Sequence, residues 1–137
     1  MILTESEKSY LAGIVDGEGC FQVEKHAGYY GTVRLTITNT SESLMEWLQL
    51  RLGGYVSFRP YTHRKPVYVW ETRGKNCVDV VQAIQPFLII KCQQAKILLD
   101  AYNNVQLYRS KKVCQKLTSE HLASRVAFYN AMHEANA

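Results

Sequence analysis

The first periodicity along the chain is helical. Apolar positions from Thr4 to about Val15 fall on one side of an amphipathic segment, and Thr4 with Glu7 has the Thr-x-x-Glu spacing of a capping box. From Phe21 the period shortens to two: Phe21 and Val23 take one face, Gln22, Glu24 and His26 the other, which predicts a strand with one wet side. The stretch HAGYYG turns the chain, after which Val33, Leu35 and Ile37 alternate with Thr32, Arg34, Thr36 and Thr38, completing a hairpin. Ser and Thr in NTSES offer an N-cap for the helix LMEWLQLRL, and Gly53-Gly54 ends it. The next strand, YVSFRPY, is expected to bury Val56 and Phe58 and to turn Tyr55, Ser57, Arg59 and Tyr61 outward. After the basic loop THRK, PVYVWETR predicts Tyr68 and Trp70 inward and Val67, Val69, Glu71 and Arg73 outward. Helical patterns fill the remainder: Asn76 to Ile84 before Pro86, Lys91 to about Tyr108, and Ser119 to about Glu134.

This order predicts an α+β fold. Consecutive hairpins pair, so the strands make one four-stranded antiparallel sheet whose apolar face the helices cover. The opposite face is then polar and exposed. A length of 137 residues fits one compact domain spanning the whole chain, 1–137. The start of the chain lacks the basic, then apolar, pattern of a signal peptide, and no apolar run reaches membrane-span length, so an intracellular soluble protein is expected. Cys20, Cys77, Cys92 and Cys114 have no CxxC spacing, which suggests neither a disulfide scaffold nor a zinc site.

A net charge of +4 says less than its distribution. Residues 1–19 hold one Lys against four acids, whereas 20–38 together with 55–75 hold seven Lys and Arg against two Glu. The basic middle favours a polyanionic partner, although solvated strands also carry such surpluses. The predicted outer face of the sheet consists of Gln22, Glu24, His26, Thr32, Arg34, Thr36, Thr38, Tyr55, Ser57, Arg59, Tyr61, Glu71 and Arg73, with Arg64 and Lys65 in the adjoining loop. Arg bonds guanine edges, Gln bonds adenine, Glu accepts from cytosine and Thr methyls touch thymine, so this set could read a DNA groove. A solvated sheet surface is the competing reading of the same composition.

One stretch exceeds what a helix end requires. LAGIVDGEG, Leu11 to Gly19, holds three glycines and two carboxylates, where a C-terminal cap usually needs a single Gly. It resembles the signature of the LAGLIDADG homing endonucleases, with Leu11, Ala12, Gly13, Asp16 and Gly19 identical to that consensus. The predicted order αββαββα over Thr4 to Tyr108 is also that family's core order. The resemblance implies that the signature helices of two units meet along a two-fold axis, and Gly13 and Gly17, four apart, suit such close approach. One signature in the chain implies a homodimer, with Leu11, Ala12, Gly13, Asp16 and Gly17 at the seam. By the same resemblance Glu18 is the catalytic acid and ligand of Mg²⁺, joined by the Gly17 carbonyl, with Mn²⁺ able to substitute and Ca²⁺ binding with little or no cleavage. Asp16 reads as structural, bonding backbone amides near the helix end or the seam.

The segment QPFLIIKCQQA, Gln85 to Ala95, also resembles single-signature members, and Lys91 matches their basic residue beside the scissile phosphate. A Lys at a helix start opposes that helix's dipole, which favours a functional purpose. Two positions depart from the pattern: Ser41 stands where relatives often place a water-ordering Gln, and Met45 where they place a basic residue; Arg34, Asn39 or Arg73 are the substitutes at hand. The resemblance implies a site-specific double-strand DNA endonuclease of intron or intein homing, cutting across the minor groove to leave short 3′ overhangs at a palindromic or nearly palindromic site. It also implies a place in the cytoplasm of a prokaryote or in an organelle such as a chloroplast or mitochondrion. The alternatives are a non-cleaving DNA-binding regulator or RNA maturase on the same scaffold, and, outside nucleic acids, a small metabolite-binding α+β domain.

Overall fold

A computed structural model describes residues 1–26, 29–109 and 118–137. Ala27 and Gly28 of the expected turn, and Cys114, lie outside the described residues. Helix α1 spans Glu5–Glu18 behind the N-cap Thr4, and the capping box forms: the Glu7 amide donates to Thr4 Oγ1 at 3.1 Å and the Thr4 amide to Glu7 Oε1 at 3.0 Å. The helix runs past the expected end at Val15, because the Gly19 N–H still donates to the Val15 carbonyl. Asp16, Gly17 and Glu18 therefore lie in its last turn. At Gly19 the chain leaves the helix so tightly that an added Cβ would stand 2.8 Å from the Val15 carbonyl oxygen, which explains glycine there.

Strands β1 (Gly19–His26) and β2 (Tyr29–Asn39) pair antiparallel, then α2 (Glu42–Leu52) leads to β3 (Tyr55–Arg59) and β4 (Val67–Arg73). The sheet order is β1-β2-β4-β3, so β2 and β4 are central and antiparallel to each other. Gly54 makes the β3 entry possible: it sits at φ +81°, and a Cβ would meet the Glu71 carbonyl at 2.5 Å. Helix α3 (Gly74–Ile84), a 3₁₀ turn over Gln85–Phe87, α4 (Cys92–Arg109) and α5 (Ser119–Ala135) complete the chain.

Phe21, Val33, Leu35, Ile37 and Trp70 on the inner sheet face join Leu11, Val15, Leu48, Val81, Ile84 and Leu98 from the helices in one core. Burying a residue of this size contributes roughly 1.5–3 kcal/mol. Two expected orientations need correction in burial. Phe58 faces inward but stays 54% exposed, resting on Tyr68 at a ring separation of 5.3 Å, because it lies near the end of the edge strand β3. Val69 faces outward yet is buried, since it lies on the interior strand β4, paired with Thr38 of β2 on one side and Ser57 of β3 on the other. Among the described residues no helix is long and apolar enough to cross a membrane.

Candidate active site and nucleic-acid face

The C-terminal turn of α1 gathers the chemistry. Glu18, its last residue, is exposed, and Asp16 precedes it by two positions; no basic residue lies in that turn. Carboxylates at a helix C-terminus oppose the partial negative charge of the unpaired carbonyls, which costs a few tenths of a kcal/mol to about 1 kcal/mol each. The fold offsets this from two other elements. Asn39, the last residue of β2, donates from Nδ2 to Glu18 Oε2 at 2.5 Å and accepts the Ser41 amide on Oδ1 at 2.7 Å. Lys91, just before α4, donates from Nζ to the Val15 carbonyl at 3.0 Å and to the Gly19 carbonyl. The ammonium thus sits at the C-terminus of α1, where a cation is favoured, so the unfavourable dipole of its own helix is answered by a neighbouring one.

Asp16 does bond backbone amides, and they belong to a distant segment. Its carboxylate accepts from the amides of Ile89, Ile90 and Lys91 at 2.8, 3.1 and 3.0 Å. These are donors at the start of α4 that no helical carbonyl serves, and a carboxylate there is favoured by the dipole. Asp16 and Lys91 consequently clasp each other's segments, fixing the Lys91 ammonium at the end of the helix that carries Glu18.

The expected seam residues divide. Leu11 and Ala12 are fully buried inside their own chain, leaving no surface for a partner, because they lie on the side of α1 that packs on the core. Gly13 and Gly17 lie on the open side: a Cβ at either would meet nothing within 4 Å. Ser9, Tyr10, Gly13, Gly17 and Glu18 line one groove together with Asn39. Asp16 is half-buried and engaged within its own chain.

Among the described residues no group of three or more His, Cys, Asp or Glu side chains could enclose a metal ion. The chain offers Glu18, with the main chain around Gly17 beside it. That donor set fits Mg²⁺, which keeps several waters and is usually held by one or two carboxylates plus phosphate oxygens rather than by an all-protein cage.

The outer face of the sheet begins beside this helix end. Gln22, Arg34 and Arg73 form one cross-strand row, and Thr36 and Glu71 stand in the next with Tyr55. Tyr55, Ser57, Arg59, Tyr61, Arg64, Lys65 and Thr38 are exposed, and Arg64 stacks over the Tyr61 ring at 3.8 Å. Thr32, Arg34, Thr36 and Glu71 are half-buried, while Arg73 and His26 are exposed. Glu24 departs from expectation: it is only 8% exposed, contacted by His26 and ion-paired with Arg34 at 3.1 Å and Arg73 at 3.0 Å. Burial raises its pKa, but the His26 hydrogen bond and the two guanidinium charges outweigh that and hold the carboxyl below its usual range. A carboxylate so enclosed is not available to accept from a base.

Ser41 is spent as the N-cap of α2, its Oγ accepting the Leu44 amide at 3.2 Å, and Met45 is buried in the core. Asn39 is the polar residue that the structure brings to Glu18. Register brings it there: Gly19 pairs with Ile37, so the end of β2 lies against the end of α1.

No protein-family model matches the chain, and no curated protein matches it by sequence. Solved structures match over nearly its whole length. An archaeal intron-encoded homing endonuclease, I-Vdi141I, complexed with DNA, has a TM-score of 0.74 at 16% identity, covering 96% of this chain and 84% of that one. The homing endonuclease I-CvuI, in complex with its target in the presence of calcium, gives 0.57 at 19% identity, covering 91% and 95%. The LAGLIDADG meganuclease I-AabMI, bound to uncleaved DNA, gives 0.67 at 15% identity; 88% of this chain aligns with 42% of that longer one. The chain has the fold of the LAGLIDADG homing endonucleases.

Proposed function

We propose that the protein is a site-specific, divalent-metal-dependent endonuclease of the homing type that binds duplex DNA as a homodimer and cuts both strands. The observation that carries this reading is the open side of α1: Gly13 and Gly17 present no side chain there and a Cβ at either would meet nothing within 4 Å, and that side ends at the exposed Glu18 beside the polar sheet face. A second copy of α1 can approach there closely, and symmetry then brings two Glu18 carboxylates toward each other and sets two sheets side by side. Such carboxylates repel unless a cation is present, which makes metal binding the natural use of the pair. Bound Mg²⁺ supplies activation of water and stabilisation of the leaving 3′ oxygen of a phosphodiester. The chain's own contribution is placement: Asn39 orients Glu18, and Asp16 and Lys91 hold the helix end. Lys91 brings a positive charge to where a scissile phosphate would lie. Complexes of I-Vdi141I with DNA and of I-CvuI with its target and calcium support duplex DNA as the partner and oxygen-seeking cations as ligands. Cutting across the minor groove to short 3′ overhangs, at a palindromic or nearly palindromic intron or intein target, completes the proposal.

A second reading has its own observation. Ser41 caps a helix and Met45 lies in the core, so neither the water-ordering Gln nor the second basic group expected from the resemblance is present at those positions. A DNA-binding protein that does not cleave accommodates both. A cleavage selection on a randomised duplex library with Mg²⁺ decides: the endonuclease reading expects one cut sequence with two-fold symmetry, and a bound but uncut consensus would favour the regulator.

A further inference from the structure

Four charged side chains on the outer sheet face form a closed circuit. Glu24 lies at its buried end, ion-paired with Arg34 at 3.1 Å and Arg73 at 3.0 Å. Glu71 closes the other end, 2.6 Å from Arg73 Nη1 and 3.5 Å from Arg34 Nη1, and Arg34 Nε also donates to Gln22 Oε1 at 2.6 Å. Two guanidinium and two carboxylate groups leave the circuit neutral. Each arginine spends the N–H of Nε and one of Nη1 on these contacts, which leaves three of its five donors, two of them on Nη2, outside the circuit.

A neutral, internally bonded circuit behaves differently from the rest of the face. Arg64 and Lys65 in the loop after β3 are exposed and make no ion pair among the described residues, so they suit sequence-independent attraction to phosphates. Arg34 and Arg73 gain little from phosphate attraction, because the adjacent carboxylates offset them. Their value is geometric: a guanidinium held in one orientation loses less rotamer freedom when it bonds a base edge.

We infer that Glu24 is a positioning residue for base recognition, holding Arg34 and Arg73 as a fixed pair of donors that selects guanine at one or two base pairs of each half-site. This rests on the duplex-DNA reading above, and it removes Glu24 itself from the set of groups that touch bases. Glu71 has the same task from the exposed side of the circuit.

The test measures equilibrium binding to a library of single-base variants of the selected site, in Ca²⁺, over a range of salt concentrations. Glu24→Gln keeps the side chain's size and removes the charge that anchors both arginines. Preference at those one or two base pairs is expected to fall roughly tenfold, within the range of a single bidentate contact, while all other positions keep theirs. The variant should also bind every duplex slightly more tightly at low salt, having gained one unit of positive charge. Glu71→Gln, on the half-exposed partner, should relax the same base pairs and serves if Glu24→Gln does not fold. Unchanged preference at every base pair in a folded variant overturns the positioning role and leaves the DNA reading standing. A wild-type protein with no duplex preference overturns both.

Discussion

The Asn39 side-chain amide donates to the Glu18 carboxylate at 2.5 Å, joining the last residue of β2 to the last residue of α1. Because Asn39 is fixed on its other side by the Ser41 amide, Glu18 is held from the sheet as well as from the helix that carries it. Groups that orient a metal ligand in this way typically change metal affinity or activity by about 10–100-fold when removed. Asn39→Ala should therefore raise the Mg²⁺ concentration needed for half-maximal cleavage by roughly that factor, with DNA affinity in Ca²⁺ retained. An unchanged Mg²⁺ dependence would show that Glu18 needs no orientation from the sheet.

The open side of α1 separates protomer stability from assembly. Within its own chain Gly13 has room for a Cβ, so Gly13→Ala should stabilise the isolated helix by about 1 kcal/mol. In the proposed homodimer the same position faces a second α1, so Gly13→Leu should abolish the dimer while leaving the chain folded. Sedimentation and thermal unfolding of the two variants read this directly. A wild type that is monomeric at micromolar concentration with and without DNA contradicts it.

How much of this was legible in the sequence follows from what each pattern encodes. Thr4 with Glu7, and the alternation from Phe21 onward, were readable because caps and strand faces are local. Alternation gives the side of the sheet but not its cover, which is why Phe58 faces inward and remains exposed while Val69 faces outward and is buried. Helical phase within the signature carried the same ambiguity: the identity of Leu11 and Ala12 could not show that they belong to the protomer's own core and Gly13 and Gly17 to its surface. Glu24 looked like an exposed acceptor because its partners Arg34 and Arg73 come from other strands, 10 and 49 positions away in sequence. The clasp of Asp16 on residues 89–91 spans still more chain, and no spacing rule reveals it.

Charge pairing also predicts the acid limit of stability. Arg51 donates to Glu7 through Nε at 2.7 Å and Nη2 at 2.8 Å, tying α2 to the start of α1, and with the capping bonds of Thr4 this lowers the Glu7 carboxyl to about 2. A carboxyl depressed on folding stabilises the protein above its unfolded value, near 4.5, and that contribution is lost as pH falls from there toward 2. The stability difference between wild type and Glu7→Gln, from urea titrations, should be largest at pH 6 and shrink steadily below pH 4.5. A difference independent of pH would mean that the pair contributes nothing through its charge.

The exposed cations divide by the kind of DNA contact they suit. Arg64→Ala or Lys65→Ala in the loop after β3 should weaken all duplexes alike and reduce the slope of log K against log salt by about 1. Arg59→Ala, on the sheet itself, should instead relax preference at particular base pairs by roughly 1–3 kcal/mol. Equal losses on every sequence for all three substitutions would mean that the sheet does not read bases at Arg59.

Everything proposed about chemistry converges on one carboxylate. Glu18→Gln preserves the side chain's length and its hydrogen bond with Asn39 while removing the charge that would hold Mg²⁺. The decisive measurement is cleavage of a plasmid carrying the selected target in Mg²⁺, run beside a binding assay in Ca²⁺ on wild type and variant. The endonuclease reading predicts that cleavage falls by several orders of magnitude and that binding persists or tightens, since two carboxylates near the phosphates no longer repel them. Equal cleavage by wild type and Glu18→Gln would contradict the assignment of the active site, and tight binding with no cleavage by either would contradict the endonuclease itself.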